Sequence, residues 1–363
     1  MLGYNILQYI QNDYILALTS FVTGGIVSYL FYSPLLYLAK QFGWYDKPGE
    51  RKLHSHKVPT IGGIGFFFGW LVSLLILFKF WEVKGFQFFL LGAVIIVSMG
   101  IKDDISILDF KKKFLGQILA AIIVVMLGDF RIESFYGILG INDLPYWASV
   151  VFTIFVFLLI INGYNLIDGI DGLAASIGIL SSVVFGLWFL GTNMSNQYYL
   201  VAFALAGALV AFLKFNISPA KMFMGDTGSM LLGFVGAFLS VVLIMYHNET
   251  SSICNVPSNP VLAVSIVFLP LYETTRSFFT RLFSGKSPFK ADNNHLHHLL
   301  LRQGLSHTQA TIILVLFSIT VIALEILFLH LKVGNLVSFG FLFIYAAIFN
   351  YLLYLKAKKK GDE

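Results

Sequence analysis

The chain has 363 residues, 58% of them hydrophobic and only 12% charged, with a net charge of +5 and a mean hydropathy of +0.82. A soluble protein of this length needs far more charge to cover its surface, so the composition excludes a soluble globular enzyme and indicates a polytopic membrane protein. The single cysteine, Cys254, excludes an intrachain disulfide and a cysteine-based zinc site.

The first Lys is Lys40, so the N-terminus lacks the basic region of a signal peptide. Eleven apolar segments are long enough to span: 14–39, 60–80, 86–101, 114–128, 146–162, 173–190, 198–213, 229–247, 260–283, 309–330 and 335–355. The expected fold is therefore an all-α bundle of about eleven transmembrane helices, one domain over 1–363. Charge sets its orientation. With the N-terminus outside, only Lys79, Lys84, Arg131 and Lys332, four of the 24 Lys and Arg, fall in outer loops. The remainder lie in inner loops and the tail, which places the C-terminus in the cytoplasm. The inner loops at 40–59, 102–113, 162–172, 214–228 and 284–308 carry the unusual polar groups.

The first such stretch, Lys57-Val-Pro-Thr-Ile-Gly62-Gly63, puts a base before a helix start. The Gly62, Gly63, Gly65, Gly69 series that follows reads as close helix packing. Asp103-Asp104 ends the third segment, ahead of Lys111, Lys112 and Lys113. Adjacent carboxylates repel, so one should resist ionisation unless they share a cation. Taken alone, the pair also fits a solvated helix end.

Asn162-Gly-Tyr-Asn-Leu-Ile-Asp-Gly-Ile-Asp-Gly172 has two acids and no base at a membrane-helix boundary. Uncompensated acids there are costly and usually serve a cation. If the stretch is helical, Asn165, Asp168 and Gly172 share a face, with Asp171 alongside. Oxygen ligands of this kind suit Mg²⁺, which takes one or two carboxylates plus substrate phosphates. A plain Asp/Gly turn is the competing reading.

Between the seventh and eighth segments, Asn216-Ile-Ser-Pro-Ala-Lys-Met-Phe-Met-Gly-Asp226-Thr-Gly-Ser229 places Asp226 at a helix start. It could cap that helix, and the helix start could hold an anion. Phe223 offers a flat face for a base. The longest inner loop ends in His295-Leu-His297-His298, where His and Lys donors facing a diphosphate fit better than a transition-metal site. His307, His54 and His56 read as surface residues. Glu325, near the outer end of the tenth segment, has no assigned role beyond a pairing with His330 or a reach to the interface. The charged tail from Lys356 reads as a solvated end near anionic headgroups.

These motifs, in this order from Lys57 to His298, resemble the polyprenyl-phosphate N-acetylhexosamine-1-phosphate transferases. The His-Leu-His-His form is similar to the WecA-like branch, which transfers GlcNAc-1-phosphate to undecaprenyl phosphate. The peptidoglycan branch has three consecutive His. The resemblance implies a Mg²⁺-dependent enzyme (Mn²⁺ as an alternative) of the bacterial inner membrane, working on its cytoplasmic side at the first membrane step of a glycan pathway. It would make polyprenyl-diphospho-sugar and UMP from a UDP-sugar and undecaprenyl phosphate. By motif position, Asp226 and Asn165 would ligate the metal, and Asp103 and Asp104 would lie near the lipid phosphate. Lys113 would contact phosphate, and Lys57, Asn216, Phe223 and Asp171 the uridine. Asp168 would line the nucleotide side, and His295, His297 and His298 the diphosphate or sugar. Direct attack by the lipid phosphate is expected rather than a covalent aspartyl intermediate. The bilayer is the expected partner, with no nucleic acid, and a homodimer stays open. Two alternatives remain: another UDP-sugar, such as UDP-MurNAc-pentapeptide, and an ion-coupled transporter using the same acids.

Overall fold

Every one of the eleven apolar segments forms helix in the computed structural model, which describes residues 12–46, 58–106, 108–192, 197–246, 250–253, 256–257, 259–285 and 295–361. In chain order the helices are α1 Asp13–Phe42, α2 Gly62–Leu77, α3 Phe86–Ile105 and α4 Phe110–Ile122, the last running on as a π-helical turn Ile123–Leu127. Next come α5 Tyr146–Ile167, α6 Leu173–Leu190, α7 Tyr198–Asn216 and α8 Gly225–Met245. The last five are α9 Pro260–Ile266, α10 Phe268–Phe283, α11 Leu296–Arg302, α12 His307–His330 and α13 Asn335–Gly361. Among the described residues, seven are long and apolar enough to cross a membrane, eight if the bent pair α9 and α10 is one span. The chain is an all-α, multi-pass membrane protein.

Local chemistry explains several boundaries. Asn12 accepts the Tyr14 N–H at 2.9 Å to open α1, and Gly43 closes it in the left-handed conformation. Ser306 and Gln309 form a reciprocal capping box at the start of α12. The sharpest feature is the 88° bend between α9 and α10. Pro270 has no N–H, and its ring collides with the carbonyl four residues back, that of Ile266. The helix breaks there, and the freed Ile266 carbonyl accepts the Ser181 hydroxyl at 2.9 Å. The redirected α10 packs on α5, where Gly163 allows the Pro270 carbonyl to come close: a Cβ on Gly163 would lie 2.4 Å from it.

Helix α8 is the core of the bundle, buried along nearly its whole length against α2, α3, α5 and α6. The glycine series in α2 does pack: a Cβ on Gly63 would lie 2.2 Å from the Gly228 nitrogen of α8. Among the described residues the strands form two short antiparallel ribbons. One pairs Tyr45–Asp46 with Val58–Pro59, and the other pairs Thr250–Ser251 with Val256–Pro257.

Candidate active site

The N-terminus of α8 is the hub of the site. Its first N–H groups have no partner within the helix. Asp104, from the end of α3, supplies one: its carboxylate accepts the Asp226 N–H at 2.8 Å, the Thr227 N–H at 3.1 Å and the Thr227 hydroxyl at 2.6 Å. The anion expected at this helix start is thus a side chain of the protein itself, and Asp226 does not cap its own helix. Gly225 makes the approach possible, with a φ of +73° and Asp104 oxygens 2.7 and 2.8 Å from where a Cβ would sit.

Asp103 goes elsewhere. Adjacent residues on a helix point about 100° apart, so the neighbouring carboxylates reach different partners. Asp103 accepts the Leu108 N–H at 2.6 Å and pairs with Lys113 at 3.0 Å. Lys113 also reaches Asp226 at 2.8 Å, so one ammonium bridges two carboxylates. Asn165, near the end of α5, donates to Asp226 and to the Ser229 hydroxyl, the latter at 3.0 Å.

The turn after α5 adds Asp168. Its carboxylate has no hydrogen-bond or ion-pair partner among the described residues. Burial first, and then the charges of Asp226, Asp104 and Asp171, hold its pKa well above the ordinary carboxylate range. Asp171, by contrast, is tied down. It accepts the Ala220 N–H at 3.2 Å and pairs with His307 at 3.3 Å. Burial alone would raise its pKa, but these partners outweigh burial and hold it below the usual range. His307 is therefore no surface residue. It anchors the acidic turn to α12, aided by the Thr311 hydroxyl on the Asp171 carbonyl at 3.1 Å.

Asn216 spends both ends of its amide on the protein: it accepts the Gly172 N–H and donates to the Met222 carbonyl, each at 2.9 Å. Phe223 is half-buried. Its N–H donates to the Pro59 carbonyl at 2.9 Å, and its carbonyl accepts the Gly62 N–H at 3.0 Å. The two motifs far apart in sequence are thus stitched together, while Lys57 itself lies outside the described residues.

The histidines reach the same region from the other side. His295 and His297 are buried and His298 is half-buried. The rings of His295 and His297 stack at 5.6 Å, and those of His297 and His298 lie 4.3 Å apart. A Cβ on Gly169 would come within 2.4 Å of His297 Nε2, so this imidazole packs on the turn beside Asp168. Burial first, then the charge of His298, push His297 down to about 3. Burial thus favours the neutral form of this imidazole.

All the described candidate residues therefore gather at one end of the bundle, where Lys113 pairs with Asp103 and Asp226 but not with Asp104 or Asp168. Among the described residues no three acids or histidines converge as a ready-made metal site, so a divalent cation here would have to complete its shell with substrate phosphates and water. Sequence reasoning misses Glu273 and His307 as residues of this region. Glu273 lies inside an apolar helix, and His307 outside every motif.

Comparison with known proteins gives the same direction. Residues 86–244 match the family model "Glycosyl transferase family 4". The chain is 33% identical over 301 residues to the probable undecaprenyl-phosphate N-acetylglucosaminyl 1-phosphate transferase of Bacillus subtilis (strain 168), covering 79% of each. It is 31% identical over 290 residues to the undecaprenyl-phosphate alpha-N-acetylglucosaminyl 1-phosphate transferase of Escherichia coli (strain K12), covering 77% of this chain and 75% of that one. To the decaprenyl-phosphate N-acetylglucosaminephosphotransferase of Mycobacterium tuberculosis (strain ATCC 25618 / H37Rv) it is 29% identical over 316 residues, or 82% of this chain and 78% of that one. These relatives are transferases, and the ion-transporter alternative finds no support among them. The chain belongs to glycosyl transferase family 4.

Proposed function

We propose that this protein transfers GlcNAc-1-phosphate from UDP-GlcNAc to undecaprenyl phosphate at the cytoplasmic face of the bacterial inner membrane. The observation that carries the proposal is Lys113 bridging Asp103 and Asp226 beside Asn165, in a chain whose relatives are named for this transfer. An oxygen of the lipid phosphate attacks the β-phosphorus of the UDP-sugar. The bond from that phosphorus to the bridging oxygen breaks, and UMP leaves with the electron pair.

Both reactants are anions, so the protein's main task is to lower their repulsion. Asp226 and Asn165 would hold Mg²⁺, with Asp168 in reach of the same cation. The metal, when bound, neutralises the diphosphate and stabilises the departing UMP. Lys113 supplies a fixed positive charge. Asp103 would meet the lipid phosphate together with Lys113, its partner at 3.0 Å, while Asp104 holds the start of α8. The lipid phosphate is nucleophilic at neutral pH without a strong base, which favours direct attack. Phe223 would stack on the uracil. Asn216 and Asp171 would act on the uridine by shaping the loop that carries Phe223. Three buried or half-buried imidazoles close the sugar-phosphate side.

The test is UMP release by purified protein supplied with undecaprenyl phosphate, Mg²⁺ and a panel of UDP-sugars. Turnover with UDP-GlcNAc, abolished by EDTA and restored by Mg²⁺, is the expected result. Turnover with UDP-MurNAc-pentapeptide instead overturns the sugar assignment. No UMP from any donor overturns the reaction.

A further inference from the structure

Glu273 belongs to none of the motifs, yet it is 1% exposed and both of its carboxylate oxygens are engaged. Its Oε2 pairs with Arg276 at 2.9 Å and with His295 Nδ1 at 2.9 Å. Its Oε1 accepts the Leu296 N–H at 2.7 Å. A buried carboxylate costs several kcal/mol in desolvation and persists only where its partners are well placed. Two of these partners lie at the junction where α11 begins, more than twenty residues on from Glu273.

This carboxylate fixes two things. It can only accept, so the His295 proton facing it sits on Nδ1, and the role of Nε2 follows from that choice. The Leu296 N–H is one of the orphan donors of α11, so the same carboxylate sets where that helix starts. From His295 the arrangement passes by ring stacking to His297, which rests on Gly169 next to Asp168. Glu273 follows directly after the 88° bend between α9 and α10.

We propose that Glu273 is the positioning residue of the histidine cluster, setting the tautomer of His295 and the start of α11 so that the three imidazoles present one arrangement to the sugar diphosphate. The catalytic part of this rests on the function proposed above; the structural part does not.

The test compares Glu273→Gln, Glu273→Asp and Glu273→Ala with wild type. Glu273→Gln keeps the shape and the acceptor for Leu296 but loses the charge facing His295. It is expected to fold with a lowered thermal midpoint, because Arg276 loses its partner, and to keep its KM for UDP-GlcNAc within about threefold while kcat falls about 10- to 100-fold, the usual loss when an orienting partner is removed. Glu273→Asp recovers part of that kcat. The double variant Glu273→Gln/His295→Ala is no slower than His295→Ala alone, because the two act as a unit. Wild-type kcat in Glu273→Gln, a change confined to KM, or fully additive losses in the double variant overturn the proposal. Hydrogen exchange over 295–302 gives a readout independent of turnover: faster in Glu273→Ala and near wild type in Glu273→Gln. Unchanged exchange in Glu273→Ala overturns the positioning role. If wild type releases no UMP from any donor, the function fails and the exchange measurement alone decides for or against Glu273.

Discussion

Single side chains divide the acids of the site into two kinds. Asp104, Asp171 and Glu273 are spent on the protein, each holding a helix start or a loop. Asp103 and Asp226 share Lys113, and Asp168 has no such partner among the described residues. Asp226 joins Lys113 and Asn165 at the α8 N-terminus, so under the proposed reaction its charge is the one whose loss is expected to cost most. Asp226→Asn keeps a side chain of the same shape and leaves Asp104 on the backbone N–H groups of α8. It is expected to lower UMP release at least about 1,000-fold, a loss typical of deleting a group that acts on developing charge, while detergent-extracted yield and thermal midpoint stay near wild type. Near-normal turnover in that variant would remove Asp226 from the reaction. The motif residues were legible in the sequence because acids without bases stand out at a membrane boundary. Their individual duties were not. Asp103 and Asp104 look interchangeable as letters, and only the helical rotation between them sends one to Lys113 and the other to α8. His307 was hidden for a similar reason: its partner Asp171 is 136 residues away.

Between elements, the site depends on how tightly α3 meets the first turn of α8. A Cβ on Gly225 would sit within 2.7 to 2.8 Å of both Asp104 oxygens, at a φ of +73°. Gly285 has a similar φ, +66°, but nothing within 4 Å among the described residues. The pair separates conformational cost from steric cost. Gly285→Ala is expected to lose about 1 kcal/mol, the left-handed penalty alone, with turnover unchanged. Gly225→Ala carries the same penalty and also displaces Asp104 from the α8 N–H groups. It is expected to lower the thermal midpoint further and to reduce kcat at least about tenfold, the scale that follows when an orienting side chain is displaced. Equal effects in the two variants would show that the Asp104 seat is not needed. Helix positions were readable from hydropathy, since every apolar segment became helix. The break between α9 and α10 was not, because Val267 and its neighbours are as apolar as any span. Pro270 was the available signal, and its effect depends on Ser181 being there to take the freed carbonyl.

Over the whole molecule, chemistry and charge are sorted to opposite ends. The acids, Lys113 and the histidines collect where α3, α5 and α7 end and α4, α6 and α8 begin. At the other end lie Lys79, bound through its N–H to Gln197 at 2.9 Å, and Arg131, paired with Glu133 at 2.6 Å. The loop between α4 and α5 belongs to that end too, since Tyr136 donates to the Ile244 carbonyl near the close of α8 at 3.2 Å. Glu325 also lies there. It accepts from Asn259 at 3.4 Å rather than pairing with His330, which bonds the Ile326 carbonyl. The two ends thus match the uneven split of Lys and Arg, and the positive-inside bias is what supports the proposed cytoplasmic placement of the site. This assignment can be checked without any activity. In a Cys254→Ser background, a cysteine at exposed Asn142 reports the sparsely basic end, and one at exposed Thr308, beside His307, reports the site end. In intact cells a membrane-impermeant maleimide is expected to label Asn142→Cys fully and Thr308→Cys only after permeabilisation. The reverse pattern would put the site outside. It would then be separated from the nucleotide-sugar pool, and no arrangement of the acids could rescue a UDP-sugar as the donor.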